Sequence, residues 1–301
     1  MSENAPLHIY LEDDLRQSAQ SGQHNFINLI KKTVEKSQFR VEFLDFPVNP
    51  PAPDIYSLSH MAPPPNAKGL VFRRVYEYPF WQIEATAERW HWDVARAVFQ
   101  PEHASPDAAR FYRFWQQRLY GDAALNSKRE GYVYLPLQGR LDRKRSFQSC
   151  APFEMIEHCL RHDKTRQIIA TLHPKEDYST LEMAHLDMLE RKHPRLSIRT
   201  GEMVQHLKAC DYIVTQNSSA AFAGYFFGKP ALLFGQIDFH HIAVKADLRR
   251  LDDSFAAVAT HAPEYDKYIW WFWQDQSINA GRDDASDRIS ARLRRFGWPI
   301  K

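Results

Sequence analysis

The stretch "DYIVTQNSSAAFAGYFFGKPALLFG", residues 211–235, sets an apolar run, two adjacent hydroxyls, a small-residue segment and a second apolar run in series. Read in order, it is strand, turn, helix and strand. Where strands alternate with helices in this way, parallel pairing with helices covering the sheet is the expected architecture. The turn carries Gln216, Asn217, Ser218 and Ser219. Serine is favoured as a helix N-cap, which explains one of the two hydroxyls. The first turn of a helix also presents unpaired N–H groups and partial positive charge, so the same place suits a phosphate, to which both hydroxyls can donate. Asn217 to Ser219 stand beyond the carboxyl end of a strand, where ligands bind in open α/β sheets.

Working outward, the same alternation continues. Upstream lie "GYVYLPLQ" (131–138), a helix in "SCAPFEMIEHCLRH", the strand "QIIATLHP" (167–174), a helix in "YSTLEMAHLDMLERKHP", the strand "LSIRT" and a small helix "EMVQHLKAC". Downstream, "IAVKADLRRLDDSFAAVATH" completes the series. An earlier series opens with "LHIYLE" (7–12), then polar "DDLRQSAQSGQ", then a helix in "HNFINLIKKTVEKS" whose Phe26, Ile27, Leu29, Ile30 and Val34 share one face. "FRVEFLDF" (39–46) and "IYSLSH" (55–60) are further strands, separated by the proline-rich "PVNPPAPD". "SPDAARFYRFWQQRLYG" reads as a helix capped by Ser105, with Pro106 first and Gly121 last, and the polar "DAALNSKRE" after it as an interdomain linker. The expected organisation is two α/β domains, 1–128 and 129–262, followed by helices with a heavy aromatic face over 263–301.

With 301 residues, 44% of them hydrophobic, the chain can fill two cores. Its formal charge of +2 gives no field to draw it onto nucleic acid, so an anion site must be local. "MSENAPLHIY" has no basic region followed by an apolar stretch, and no eighteen apolar residues run together, so a cytoplasmic setting is expected. Cys150, Cys159 and Cys210 lack metal or disulfide spacing and read as packed thiols; His240-His241 reads as packing or substrate contact, and no metal is expected. No G-x-G-x-x-G follows a strand and no G-x-x-x-x-G-K-[ST] occurs, so the dinucleotide and P-loop readings lose their chief support; the lack of G-x-S-x-G weakens a hydrolase, and with no Asp-x-Asp at a strand end in the first half, metal-free phosphate binding fits better.

Two further strand ends carry polar residues. His173-Pro174 follows "QIIATL", where the imidazole can donate to a phosphate or protonate a leaving group, and Lys175 adds charge. Gln138 follows "YLPL", where an amide can read a base or sugar, with the basic run Arg140, Arg143, Lys144, Arg145 after it.

Together, "YVYLPLQ", "SFQSCAPFEMIEHCL", "LHPK" and "CDYIVTQNSSAAFAGYFFGKPALLFG", over residues 130–245, resemble the nucleotide-binding half of bacterial capsular polysaccharide biosynthesis proteins, the glycosyltransferases similar to capsule Kdo transferases. The resemblance implies a GT-B-like architecture, two Rossmann-like domains facing a cleft with the last helices returning to the first domain. It implies an acceptor-side first domain, a CMP-activated sugar donor with no cofactor, and a saccharide or glycolipid acceptor. Peripheral contact at the inner membrane face or with a polysaccharide-assembly complex goes with that setting. His173 and Pro174 match the family's His-Pro motif, and Ser218 with Ser219 its hydroxyl pair. The family's acidic pair followed by glycine has no match, since Asp13-Asp14 precede Leu15. Sugar transfer with inversion needs a carboxylate to take the acceptor's proton, and three are candidates. Asp14 and Asp13 follow the first strand, and Glu84 lies in the aromatic "YPFWQIEATAERW". Gly22 to His24 form a loop that can admit an acceptor sugar. A UDP- or GDP-sugar donor, or a non-catalytic nucleotide-sugar-binding partner, remain open alternatives.

Overall fold

Helices with one apolar face, set between strands, build two six-stranded sheets in the computed structural model. It describes residues 5–47, 49 and 51–301; the first four residues of "MSENAPLHIY", and Val48 and Pro50 of the proline-rich stretch, fall outside these. The chain divides into two compact units, Met1–Ala97 with Trp271–Lys301, and Val98–Trp270.

The first unit starts with β1 (Ala5–Tyr10), α1 (Asp13–Gln20) and α2 (Asn25–Glu35). Phe26, Ile27, Ile30 and Val34 bury the inner face of α2, and His24 caps it by accepting the Ile27 N–H at 3.3 Å. Next come β2 (Phe39–Leu44), β3 (Tyr56–His60), β4 (Gly69–Arg74), β5 (Phe80–Glu84) and the single turn α3 (Asp93–Arg96). Of these, β5 lies inside the aromatic stretch "YPFWQIEATAERW", for which no strand was expected.

The second unit begins with α4 (Ala108–Tyr120), closed by Gly121 in the left-handed φ range, and α5 (Asp122–Leu125). Here the expectation is corrected. The helix starts after Ser105 and Pro106, Ser105 Oγ instead accepting the Asp107 N–H, and part of "DAALNSKRE" is helical. Residues 98–128 group with the second half because their side chains satisfy carbonyls there. Tyr112, Gln116 and Ser127 donate to the carbonyls of Tyr225, Phe226 and Phe227 at 2.6 to 2.7 Å, at the turn where the helix over 219–225 ends.

The alternation then runs as expected: β6 (Tyr132–Pro136), α6 (Pro152–His162), β7 (Gln167–Leu172), α7 (Thr180–Lys192), β8 (Leu196–Thr200), α8 (Met203–Ala209), β9 (Tyr212–Thr215), α9 (Ser219–Tyr225), β10 (Ala231–Leu233), β11 (Val244–Lys245), α10 (Leu251–Thr260) and α11 (Tyr265–Trp270). The strands order as β11-β10-β9-β6-β7-β8, and every neighbouring pair is parallel. Val133, Leu135, Ile168, Ala170, Tyr212, Val214 and Leu232 line its core, and all three cysteines are buried.

After a π-helical turn at Trp271–Asp275, β12 (Ile278–Asn279) and α12 (Ala285–Arg295) rejoin the first unit. Its sheet runs β12-β5-β4-β3-β1-β2, parallel from β4 to β2 and antiparallel at the β5 and β12 edge. Ile278, Ile289, Leu293, Trp298 and Ile300 complete the core with Leu7, Ile9 and Phe26.

Candidate functional site

All six strands of the second sheet point one way, so the loops that follow them share an edge. Chain order reverses between β6 and β9: β7 and β8 lie on one side of β6, and β9 to β11 on the other. Such a reversal opens a crevice beyond the strand ends, the usual ligand position in an open α/β sheet. Gln138, His173, Gln216 to Ser219, and Gly235 follow β6, β7, β9 and β10 respectively.

His173 is exposed, and the backbone fixes its ring. The Lys175 N–H donates to Nδ1 at 3.2 Å, so a neutral ring carries its proton on Nε2 and offers it outward. Pro174 and Lys175 are exposed in the same turn, which the Glu176 N–H closes onto the His173 carbonyl. The two serines divide their work. Ser218 caps α9, its Oγ accepting the Ala220 N–H at 3.2 Å. Ser219 is exposed, and its hydroxyl has no partner among the described residues. Because α9 spans seven residues rather than the whole of "SAAFAGYFFG", these hydroxyls carry more of the polar chemistry than the helix dipole does.

The loops are stitched together. Thr215 Oγ1 donates to the Pro136 carbonyl, Gln216 Nε2 to the Cys150 carbonyl and Asn217 Nδ2 to the Gln236 carbonyl, at 3.1, 3.0 and 3.3 Å. The Gly235 N–H donates to Gln216, and a Cβ at Gly235 would stand 2.9 Å from that carbonyl oxygen, so only glycine permits the approach. The Glu176 side chain lies against Gly139, joining the loops after β6 and β7.

Within this edge Gln138 Oε1, Arg145 Nε and Nη2, Gln148 Nε2 and Gln216 Oε1 are buried without a hydrogen-bond partner among the described residues. Buried polar groups are normally satisfied, so five orphans in four side chains mark a place shaped around something polar. Arg145 stacks over Phe147 at 4.9 Å. Its charge is disfavoured chiefly by burial, opposed by Glu176 and reinforced by Arg140. Arg140, Arg143 and Lys144, its neighbours in the basic run, are exposed. Only the fold separates Arg145 from them.

In the first unit, Asp13 and Asp14 are exposed in the first turn of α1. Asp13 pairs with Arg16 at 2.8 Å, and Asp14 has no partner among the described residues. Glu84 is corrected. It is 3% exposed, meets Arg292 at 2.5 Å and accepts the Asp93 N–H at 3.2 Å. Burial pushes its carboxyl up to about 7 against the pull of Arg292. A carboxylate so enclosed braces β5 against α12 and is out of an acceptor's reach. Gly22 turns the chain between α1 and α2 with φ +72°, and the His24 Nδ1 is occupied by its cap. The sequence reading passed over Glu12, whose Oε2 meets His60 Nδ1 at 2.8 Å. Each residue closes a strand-like run, "LHIYLE" and "IYSLSH", and that position was the available signal.

No protein-family model and no curated protein matches the chain. Among solved structures, Thermosulfurimonas dismutans KpsC, a beta Kdo 2,7 transferase, aligns over 88% of both chains with a TM-score of 0.52 at 10% identity. The fold is GT-B. A Thermosulfurimonas dismutans KpsC beta Kdo 2,4 transferase aligns over 88% of this chain and 97% of its own, with a TM-score of 0.49 at 14% identity. The GT-B likeness at this identity is one of architecture, and the chemistry must be argued from the strand ends themselves. Among the described residues of the GT-B chain, no helix is long and apolar enough to cross a membrane.

Proposed function

We propose that the chain is an inverting, metal-independent glycosyltransferase that moves Kdo or a related acidic sugar from a CMP-activated donor to a surface polysaccharide or lipid-linked acceptor. The observation that carries this reading is the β6/β9 edge. There a free imidazole N–H, a free serine hydroxyl and orphaned amide and guanidinium groups gather on a GT-B sheet. The likeness to a beta Kdo 2,7 transferase motivates the choice of sugar.

In this reading His173 Nε2–H and the Ser219 hydroxyl donate to the donor's phosphate, Lys175 adds charge, and Gln138 and Asn217 contact the base or sugar. As the anomeric C–O bond breaks, negative charge builds on the phosphate oxygen. Donors already aimed there lower the barrier because they need not reorganise during the reaction. His173 can also hand its proton to the departing oxygen. The proposed setting is cytoplasmic, at the inner membrane face.

The test is calorimetric titration with CMP, CDP, UDP and GDP in the absence of metal. Selective CMP binding supports the donor assignment. Preference for UDP or GDP keeps the transferase and replaces the donor, and binding of none of the four defeats the reading.

A further inference from the structure

We propose that Arg145, Gln148 and Gln216 read the Watson–Crick edge of a cytosine base and so set the nucleotide specificity of the β6/β9 edge; the proposal rests on the CMP reading above. All of these residues lie in the second unit. Backbone groups fix the polarity of both glutamines. Gln148 accepts the backbone N–H of Arg145 at 2.7 Å, which only its Oε1 can do, so its free end is the amide nitrogen. Gln216 donates to the Cys150 carbonyl at 3.0 Å, which only its Nε2 can do, so its free end is Oε1. Gln148 is 3% exposed and Gln216 2%, so neither free end is turned to bulk water.

One set of loops holds these ends together. Gln148 and Gly235 face each other in an antiparallel bridge. It is flanked by bonds from the Gln236 N–H to the Phe147 carbonyl and from the Ser149 N–H to the Phe234 carbonyl, at 2.8 and 2.7 Å. Gly235 in turn donates to the Gln216 carbonyl at 2.8 Å. The Gln148 N–H closes a turn onto the Arg145 carbonyl at 3.0 Å, and the Arg145 guanidinium lies over Phe147. Its unpartnered Nε and Nη2 form one side of the guanidinium fork, the side that can grip two adjacent acceptors at once.

Sorted by role, the free atoms at this edge, among the described residues, are three donors and two acceptors: Arg145 Nε and Nη2 with Gln148 Nε2, against Gln138 Oε1 and Gln216 Oε1. Cytosine carries the inverse set. Its N4 amino group donates, while N3 and O2 stand side by side and accept. Arg145 and Gln148 suit N3 and O2, and the glutamine oxygens suit the amino group. Uracil would set O4 against those oxygens and N3–H against the guanidinium, and adenine has no counterpart of O2. A buried site built for one pattern rejects the others because its own groups are then left unpaired. Charge also favours a neutral edge here. Burial disfavours the Arg145 charge and Glu176 supports it, so the guanidinium has a carboxylate nearby before any ligand arrives. The phosphate falls to His173 and to Ser219, which only Asn217 and Ser218 separate from Gln216.

The experiment is calorimetry on the full chain with CMP, UMP and cytidine, for the wild type and its R145Q, Q148E and S219A variants, with the melting temperature of each. The wild type should prefer CMP to UMP about 100-fold or more. R145Q should weaken CMP and cytidine by the same factor, on the order of 10-fold, without weakening UMP. Q148E keeps the oxygen that the Arg145 N–H needs and puts an acceptor in place of the free donor. It should cut the preference for CMP over UMP by about 10-fold, and it carries the test if R145Q folds poorly. S219A, which removes a proposed phosphate contact, should weaken CMP and UMP alike and leave that preference intact. A loss in R145Q that is equal for CMP and UMP and absent for cytidine puts Arg145 on the phosphate; it overturns the inference while the donor assignment stands. Unchanged CMP-to-UMP ratios in R145Q and Q148E overturn it as well, leaving the free atoms to internal water. A wild-type chain that prefers UDP or GDP, or binds no nucleotide, overturns the CMP reading itself and the inference with it.

Discussion

At the scale of single residues, the two serines at the end of β9 separate a helix cap, Ser218, from the hydroxyl proposed to meet the donor, Ser219. Ser218→Ala removes a cap and should cost about 1 kcal/mol of stability, read as a lower melting temperature. Ser219→Ala removes a hydroxyl with no partner among the described residues. It should leave the melting temperature unchanged and weaken CMP about tenfold, the scale of one hydrogen bond to a charged group. Adjacent in sequence, the two read alike, and only the Ala220 N–H, which selects Ser218, tells them apart. Glu84 shows the opposite failure. It stood among aromatics that suit a sugar, but Arg292, which encloses it, is 208 residues away in sequence and came from a segment read only as an aromatic docking face. Arg292 also holds Asp93 at 2.6 Å, so Arg292→Ala should destabilise the first unit by about 3 to 5 kcal/mol, leaving two carboxylates without their shared cation. The pH dependence has a definite sign. The Glu84 carboxyl moves from an ordinary 4.5 to about 7 on folding, mainly through burial. The folded state thus holds that proton more tightly, and the resulting stability is present below about 4.5 and lost as pH rises through about 7. Chemical denaturation across pH 4 to 8 should show this slope in the wild type, and Glu84→Gln should flatten it.

Among elements, the strands of the second sheet declared themselves through apolar runs closed by polar residues, as at "YVYLPLQ" and "QIIATLHP". That the polar residues just past such runs share one edge of the sheet was therefore readable from the amino-acid order alone. Arg145 was not separable from its basic run, because its burial depends on Phe147 and on the loop bonded to Gly235. β5 and β12 were missed for a related reason. Phe80–Glu84 is buried on both faces, so no alternation shows, and β12 is two residues long. Gly235 ties the loops after β9 and β10. Gly235→Ala would press a methyl group to 2.9 Å from the Gln216 carbonyl oxygen, a contact that backbone can relieve only by moving. CMP affinity should fall by more than the melting temperature shift accounts for, as followed by calorimetry and thermal melting side by side.

At the scale of the whole molecule, repeated alternation sufficed for an α/β assignment and for two sheets, since each series contains its own strands and helices. Which stretch belongs with which sheet was harder to read. The partners of residues 98–128 are backbone carbonyls at 225–227, and carbonyls leave no mark in composition. The return of residues 271–301 carries a direct test. A chain ending at Trp270 would uncover the apolar surface that Ile289, Leu293, Trp298 and Ile300 cover, and it would leave β5 as a bare edge. Such a chain should be recovered as aggregate, and hydrogen exchange on any soluble fraction should find the first unit unprotected and the second protected.

The same discontinuity governs events during translation. The first five strands leave the ribosome early, yet the segment that closes their sheet is made only after the entire second unit. The second unit, continuous in the chain, can fold while the nascent first unit still waits with Phe80, Trp81 and Ile83 unsheltered, the interval in which a chaperone has most to hold.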